Sequence, residues 1–421
     1  MKRILMIAYH FPPLAGSSGI QRTLRFARYL PEFGWEPLVL TAHPRAYERT
    51  GADLLAELPK ETVVVRAPAF DTARHFSIAG RYPGFLARPD RWISWLPGAT
   101  LAGMSMIRCY RPDVIWSTYP IATAHMIGAA LHKHSGLPWV ADFRDPMAQD
   151  GYPSDPRVWK SFKRIEERVA HEASLCTFTT TGTARVYSER YPQAASCFKV
   201  IENGYDEETF AGLDSGGAPL NPGKITFLHS GIVYPSERDP TQFMLAIRTL
   251  IDTGRISAGQ LRVRFRASMH EDFLRTLTSK YGLDECIEIF PPISYRDALN
   301  EMMCADILLI MQASNCNDQI PAKLYEYVRV GRPILALTDP EGDTASVLRT
   351  AGISAIAPLN QTDAIASVLE KVIAEPRAGT LADIEMVAKC SRRNRAGELA
   401  VMLESAKQKT SSTPFCKKPP R

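Results

Sequence analysis

A chain of 421 residues is longer than one hydrophobic core ordinarily serves, so two domains of roughly 200 residues each are expected. Its 45% apolar and 23% charged residues exclude a disordered or fibrous protein. A net charge of +5 suits an anionic ligand or surface, and no basic run is long enough to bind nucleic acid by itself. The eight cysteines form no CxxC pair and have no histidine at ligand spacing, so unpaired thiols in a reducing cytosol are the simplest reading.

Residues 4–8 are wholly apolar, too short for a signal or membrane span, and read as a first strand. A loop rich in Gly, Ser and Pro follows at 9–19, then a helix over 21–30 and a strand over 37–41. This is a βαβ unit, so a parallel sheet is predicted. Strands at 63–67, 114–118 and 138–142 continue it, with a helix over 122–134. Residues 74–95 break the rhythm with Phe76, Arg81, Tyr82, Phe85, Arg88, Arg91, Trp92 and Trp95. Such an aromatic and cationic mix either docks on an anionic bilayer or packs as an ordinary insertion. Helices at 159–173 and 183–190 and strands at 175–180 and near 200 close the first half, and 206–223 has the composition of a linker. A second αβ series has strands at 225–229, 261–267, 287–290, 307–310 and 334–337. The fold class is therefore α/β, with two doubly wound Rossmann-like domains facing across a cleft. The expected divisions are 1–208, 222–392, a closing helix at 393–409 and a disordered tail at 410–421.

Parallel sheets bind ligands at the carboxyl ends of their strands, which points to the loops that follow the apolar runs. Gly16 and Gly19, after the first strand, leave backbone N–H groups for a phosphate or sugar. A nicotinamide-cofactor domain would need GxGxxG and an acid after the second strand; here the loop is Gly-Ser-Ser-Gly and the strand ends in Thr41, Ala42 and His43. Asp142, Arg144 and Asp145 form a charged loop that either orients a sugar or ties the domain together. Gly231 allows close backbone approach after the strand at 225–229, and Arg238 is a candidate diphosphate clamp. Asp318 and Glu326, eight positions apart, bracket Lys323 in a loop and helix stopped by Gly331 and Pro333. The carboxylates can face a polyhydroxylated ligand with the lysine at a phosphate, or they are the solvated face of an amphipathic helix.

Together these pieces resemble the retaining, nucleotide-sugar-dependent glycosyltransferases of the GT-B fold, family 4, which include many bacterial surface-polysaccharide enzymes. The resemblance rests on Tyr9 to Pro13 with the Gly loop and Arg22, on Asp142 to Pro146, on Asn203 to Asp206, on Gly231 to Asp239, and on Pro321 to Val328 with Gly331 and Pro333. It implies donor contacts at Gly16, Gly19, Gly231, Arg238, Asp318, Lys323, Leu324 and Glu326, with Glu326 on the ribose hydroxyls. It implies an acceptor near His10 and Arg22. Asp318 stands where relatives carry a glutamate, and Ile232 where an arginine is common. Arg144 stands where many have a histidine, a role that Asp145 or His125 could share.

The resemblance further implies a metal-independent reaction without a cofactor, the nucleotide-sugar being a substrate, and no Asp-x-Asp motif is present. A glycan or lipid-linked glycan acceptor, a cytoplasmic location and no nucleic-acid partner complete the expectation, and contact of residues 74–95 with the inner membrane surface stays open beside internal packing. The rival readings are a sugar-nucleotide epimerase of similar fold and a non-catalytic glycan-assembly partner.

Overall fold

The computed structural model describes residues 1–17, 19–213, 217–376 and 378–412. It divides into two compact units, residues 1–202 together with the segment from Arg392, and residues 203–391. The first holds strands β1 (Lys2–Ile7), β2 (Trp35–Ala42), β3 (Val63–Ala67), β4 (Val114–Thr118), β5 (Trp139–Arg144), β6 (Leu175–Phe178) and β7 (Phe198–Val200). They form one parallel sheet in the order β3-β2-β1-β4-β5-β6-β7. Successive side chains of β1 point to opposite faces, as the strand pleat requires. Leu5 and Ile7 enter one core, and Ile4 and Met6 the other. All four are fully buried, each contributing about 1.5–3 kcal/mol. The second face is closed by the helix Arg392–Ser412 through Leu399, Ala400 and Leu403, so the last helix belongs to the first unit.

The second unit holds β8 (Ile225–Ser230), β9 (Leu261–Arg266), β10 (Ile287–Phe290), β11 (Ile307–Met311), β12 (Ile334–Leu337) and β13 (Ile356–Ala357). Its sheet is again parallel, in the order β10-β9-β8-β11-β12-β13. The strand order reverses between β1 and β4 in one unit and between β8 and β11 in the other. Loops leaving the carboxyl ends of these strands diverge and leave a crevice.

Several expectations need correction. Residues 203–208, assigned to the first domain, lie in the second unit. Phe210 joins Tyr205, Leu324 and Tyr327 in that unit's core, and Arg329 pairs with Glu207 while lying 4.9 Å over the Phe210 ring. The helix Trp95–Tyr110 was not anticipated, because Pro97 and Gly98 break the apolar pattern. Proline is tolerated in a first helical turn, where the N–H groups lack intrahelical partners anyway. Gly103 lets this helix approach closely, since a Cβ there would meet Leu131 at 2.5 Å. The helices Asp343–Thr350 and Ile384–Lys389 and the two-residue β13 were also missed. Helix occupies 410–412, the start of the expected tail; residues 413–421 lie outside the described ones, as do Ser18 of the Gly loop and 214–216 of the linker.

Candidate functional site

In the second unit, β8 ends in His229 and Ser230 and turns at Gly231, whose φ of +128° is open to glycine but strained for other residues. Beside it begins the helix Lys323–Val330, with Lys323 as its first residue and Gly331 as its left-handed cap. A Cβ on Gly231 would lie 2.8 Å from Lys323 Nζ, so the absent side chain is the space that the lysine occupies. Lys323 Nζ stands 3.2 Å from His229 Nε2, and His229 Nδ1 stands 3.0 Å from the Leu309 carbonyl oxygen. A carbonyl only accepts, so Nδ1 carries the proton and Nε2 offers its lone pair to the lysine. Burial, followed by Lys323, holds the His229 imidazole well below its usual range. Burial, followed by Arg238, pushes the Lys323 ammonium down to about 7, against the pull of Glu326.

Around this pair, Ser230 N–H donates to Tyr327 Oη at 2.9 Å, fixing the strand end to the helix. Arg238 Nη1 donates to the Ile232 carbonyl at 3.0 Å, and its guanidinium lies 5.3 Å from the Tyr234 ring centre. Glu326, in the first helical turn, accepts from Tyr295 Oη at 2.6 Å. Asp318 sits half-buried in the preceding loop, which Gln312 holds by donating to the carbonyls of Cys316 and Gln319. The structure thus brings together Gly231, Arg238, Lys323 and Glu326 with the unforeseen His229 and Tyr295. Leu324 requires correction as a ligand: its side chain is fully buried in the core and its N–H bonds the Pro321 carbonyl.

In the first unit, Gly19 opens the helix Gly19–Tyr29, and a Cβ there would meet His10 Nδ1 at 2.4 Å and Arg144 Nη1 at 3.1 Å. His10 Nδ1 also lies 3.2 Å from Ser17 Oγ, and burial, aided by Arg144, pushes the imidazole down to about 4. Arg144, at φ +63°, follows a bulge in β5 and reaches the carbonyls of Gly19 and Tyr119. Asp145, next in sequence, is exposed. A cavity of about 300 Å³ opens beside them, lined by Tyr9, His10, Gly16, Arg49, Arg91 and Trp92 among others.

Two further expectations fail here. Arg22 is not an acceptor contact: it is 4% exposed and forms a two-pronged pair with Asp142 at 3.0 and 2.8 Å, with further bonds to the Ile201 and Glu202 carbonyls. Thr118 and Thr177 complete the Asp142 carboxylate, and although burial alone would raise it, Arg22 and these bonds hold it below the usual range. His125 is not at a reacting centre: it is fully buried, bonded through Nδ1 to Ser117 Oγ at 2.8 Å, and packed on Phe143 and Trp139. Of the 74–95 segment, Trp95 is core and Trp92 packs 4.7 Å from Tyr9, which is ordinary insertion packing. Phe76, Ile78 and Phe85 lie exposed, and the backbone of Ile78 pairs with that of exposed Arg81. A second cavity, of about 550 Å³, is lined by Asp239, Thr241, Gln312, Ser314, Asp339 and Asn360 among others, a set the sequence did not suggest.

With that geometry, the likeness to known proteins is informative. Residues 18–204 match the family model described as glycosyl transferase 4-like domain. Sucrose-phosphate synthase from Thermosynechococcus elongatus superposes with a TM-score of 0.61 at 13% identity, over 98% of each chain. A glycosyltransferase from Rickettsia africae gives 0.62 at 13% identity, over 98% of this chain and 99% of its own. Anabaena HepE, solved with UDP and glucose, gives 0.57 at 13% identity over 98% of each chain. The chain has the GT-B fold. Residues 18–204 are similar to that family, and the likeness to GT-B structures extends through the second unit. No curated protein sequence matches the chain. Among the described residues no helix is long and apolar enough to cross a membrane.

Proposed function

We propose that this protein is a retaining glycosyltransferase that moves a sugar from a nucleotide-sugar donor to a glycan or lipid-linked glycan acceptor in polysaccharide assembly. The observation that carries the reading is the cluster at the β8–β11 reversal, where Gly231 opens room for Lys323 at a helix N-terminus. A diphosphate placed there meets the lysine ammonium, the positive end of the helix dipole and Arg238. Glu326, half-exposed one turn on, offers a carboxylate to the ribose hydroxyls, and Asp318 does so to the sugar. HepE, solved with UDP and glucose and with UDP-glucose, makes a uridine diphosphate sugar the first donor to try.

In this reading the bond between the sugar's anomeric carbon and the diphosphate oxygen breaks while the acceptor hydroxyl attacks the same face. The hydroxyl's proton passes to the departing phosphate, and the charge developing there is met by Lys323 and Arg238. The acceptor binds in the first unit, beside His10, Gly16 and Trp92, where the cavity has a neutral imidazole and an aromatic wall. Exposed Phe76, Ile78 and Phe85, with Arg81, are the surface that would touch an anionic bilayer carrying a lipid-linked acceptor. A thermal-shift screen of nucleoside diphosphates and their sugars tests the donor half, because a ligand bound only by the native state raises its apparent stability. One nucleotide class should stabilise the protein, and no response from any would count against the reading.

A further inference from the structure

Lys323 differs from an ordinary surface lysine in what holds it. Among the described residues it makes no ion pair, and its hydrogen-bond partner is a neutral, fully buried imidazole whose acceptor face is fixed by the Leu309 carbonyl. The facing charges are few. Arg238, from the loop after β8, opposes the ammonium, while Glu326, one turn along its own helix, favours it and is already engaged by Tyr295. Tyr327 faces Ser230 as a neutral hydroxyl, its acidity further suppressed by burial. An amine in this setting is held in place without being compelled to carry its charge.

We propose that Lys323, positioned by His229, is a proton-linked receptor for the donor's diphosphate, taking one proton from solvent as the anion binds and returning it as the nucleoside diphosphate leaves. The inference rests on the donor reading above. Its chemistry balances simply: a neutral amine becomes an ammonium beside the phosphate, and product release reverses the step. With the empty-site lysine titrating at about 7, binding below that pH uses an ammonium already present. Above it each binding event must recruit a proton, so affinity falls by up to about tenfold per pH unit. The phosphate of the ligand does not explain such a trend, since its second ionisation lies near 6.

Calorimetry of UDP binding at pH 8, in buffers of different ionisation enthalpy, reads the proton count directly. With a midpoint of about 7 in the empty protein, close to one proton should be taken up per UDP at pH 8, and less as the pH falls. Lys323→Arg, which stays charged, should bind without uptake, and Lys323→Met should bind weakly without uptake. His229→Gln, which keeps an acceptor near the Nε2 position, should retain uptake better than His229→Leu. UDP binding by the wild type with no proton uptake at pH 8 would overturn the proposal. If no nucleoside diphosphate binds, the donor reading has failed and the linkage is read separately, by NMR titration of the ligand-free protein with 13C-methylated lysines. A resonance lost in Lys323→Arg should titrate near 7, and a midpoint in the ordinary lysine range overturns the inference.

Discussion

Gly231 and Lys323 occupy one space between them: the Cβ that Gly231 lacks would stand 2.8 Å from the lysine's Nζ. Gly231→Ala should therefore displace the ammonium from His229 and strain a backbone held at φ +128°. Strain of this kind costs about 1–3 kcal/mol, and where it displaces the lysine UDP affinity should fall about fivefold or more. Calorimetry measures it, and an unchanged dissociation constant would remove Gly231 from the donor site.

Glu326 and Tyr295 are joined at 2.6 Å, but only the carboxylate is assigned to the ribose. Glu326→Ala should weaken UDP binding by about 1.5–3 kcal/mol, the range for hydrogen bonds to charged groups. Tyr295→Phe should cost less than about 1 kcal/mol, because the carboxylate survives. Equal losses for the two variants would mean that the pair, and not Glu326, makes the contact.

Arg22 and Asp142 are a fold-holding pair. Arg22→Met leaves a buried carboxylate and should cost about 3–5 kcal/mol of stability, and Asp142→Asn on top of it should recover a part. Denaturant unfolding of the single and double variants reads both effects. Asp142 is held below the ordinary carboxylate range, so its stabilisation is fully present above about pH 4 and is lost as pH falls further through the folded value. UDP affinity at a temperature where Arg22→Met is folded should stay within about twofold of wild type, an effect under about 0.5 kcal/mol.

His125 predicts a second acid sensitivity at higher pH. Its folded state prefers the neutral ring, with the midpoint moved from 6.5 to about 4 by burial. Its stabilisation is therefore complete above about 6.5 and drains away as pH falls toward 4, by about 3 kcal/mol in total. His125→Asn keeps an acceptor for Ser117 and does not titrate, so its stability should be flatter across that window even if lower throughout. Parallel pH–stability curves for the two proteins would contradict this.

The strands were legible because central parallel strands are buried on both faces and read as unbroken apolar runs, as at 4–7, 307–311 and 334–337. The helix Trp95–Tyr110 was not, since its Pro97 and Gly98 signal a turn unless the partner helix is known. Within the site, Gly231, Lys323 and Glu326 were marked by type and spacing. His229 was hidden inside an apolar strand, where only its bond to Leu309 on a neighbouring strand reveals its role. Arg22, His125 and Leu324 show the converse error: they lie within suggestive motifs, but burial and packing within the core turn them into structure. Sequence distance gives no sign that Asp142 is the group that Arg22 meets.

The central claim is sugar transfer, and its most direct measurement is nucleoside diphosphate release, with product mass and anomeric configuration, from a panel of nucleotide sugars supplied with lipid-linked glycan extracts. One donor should release its diphosphate only when acceptor is present, give a glycosylated product of unchanged anomeric configuration, and lose this activity in Lys323→Met. No diphosphate release from any donor, or conversion of the donor sugar to its epimer without transfer, would contradict the account.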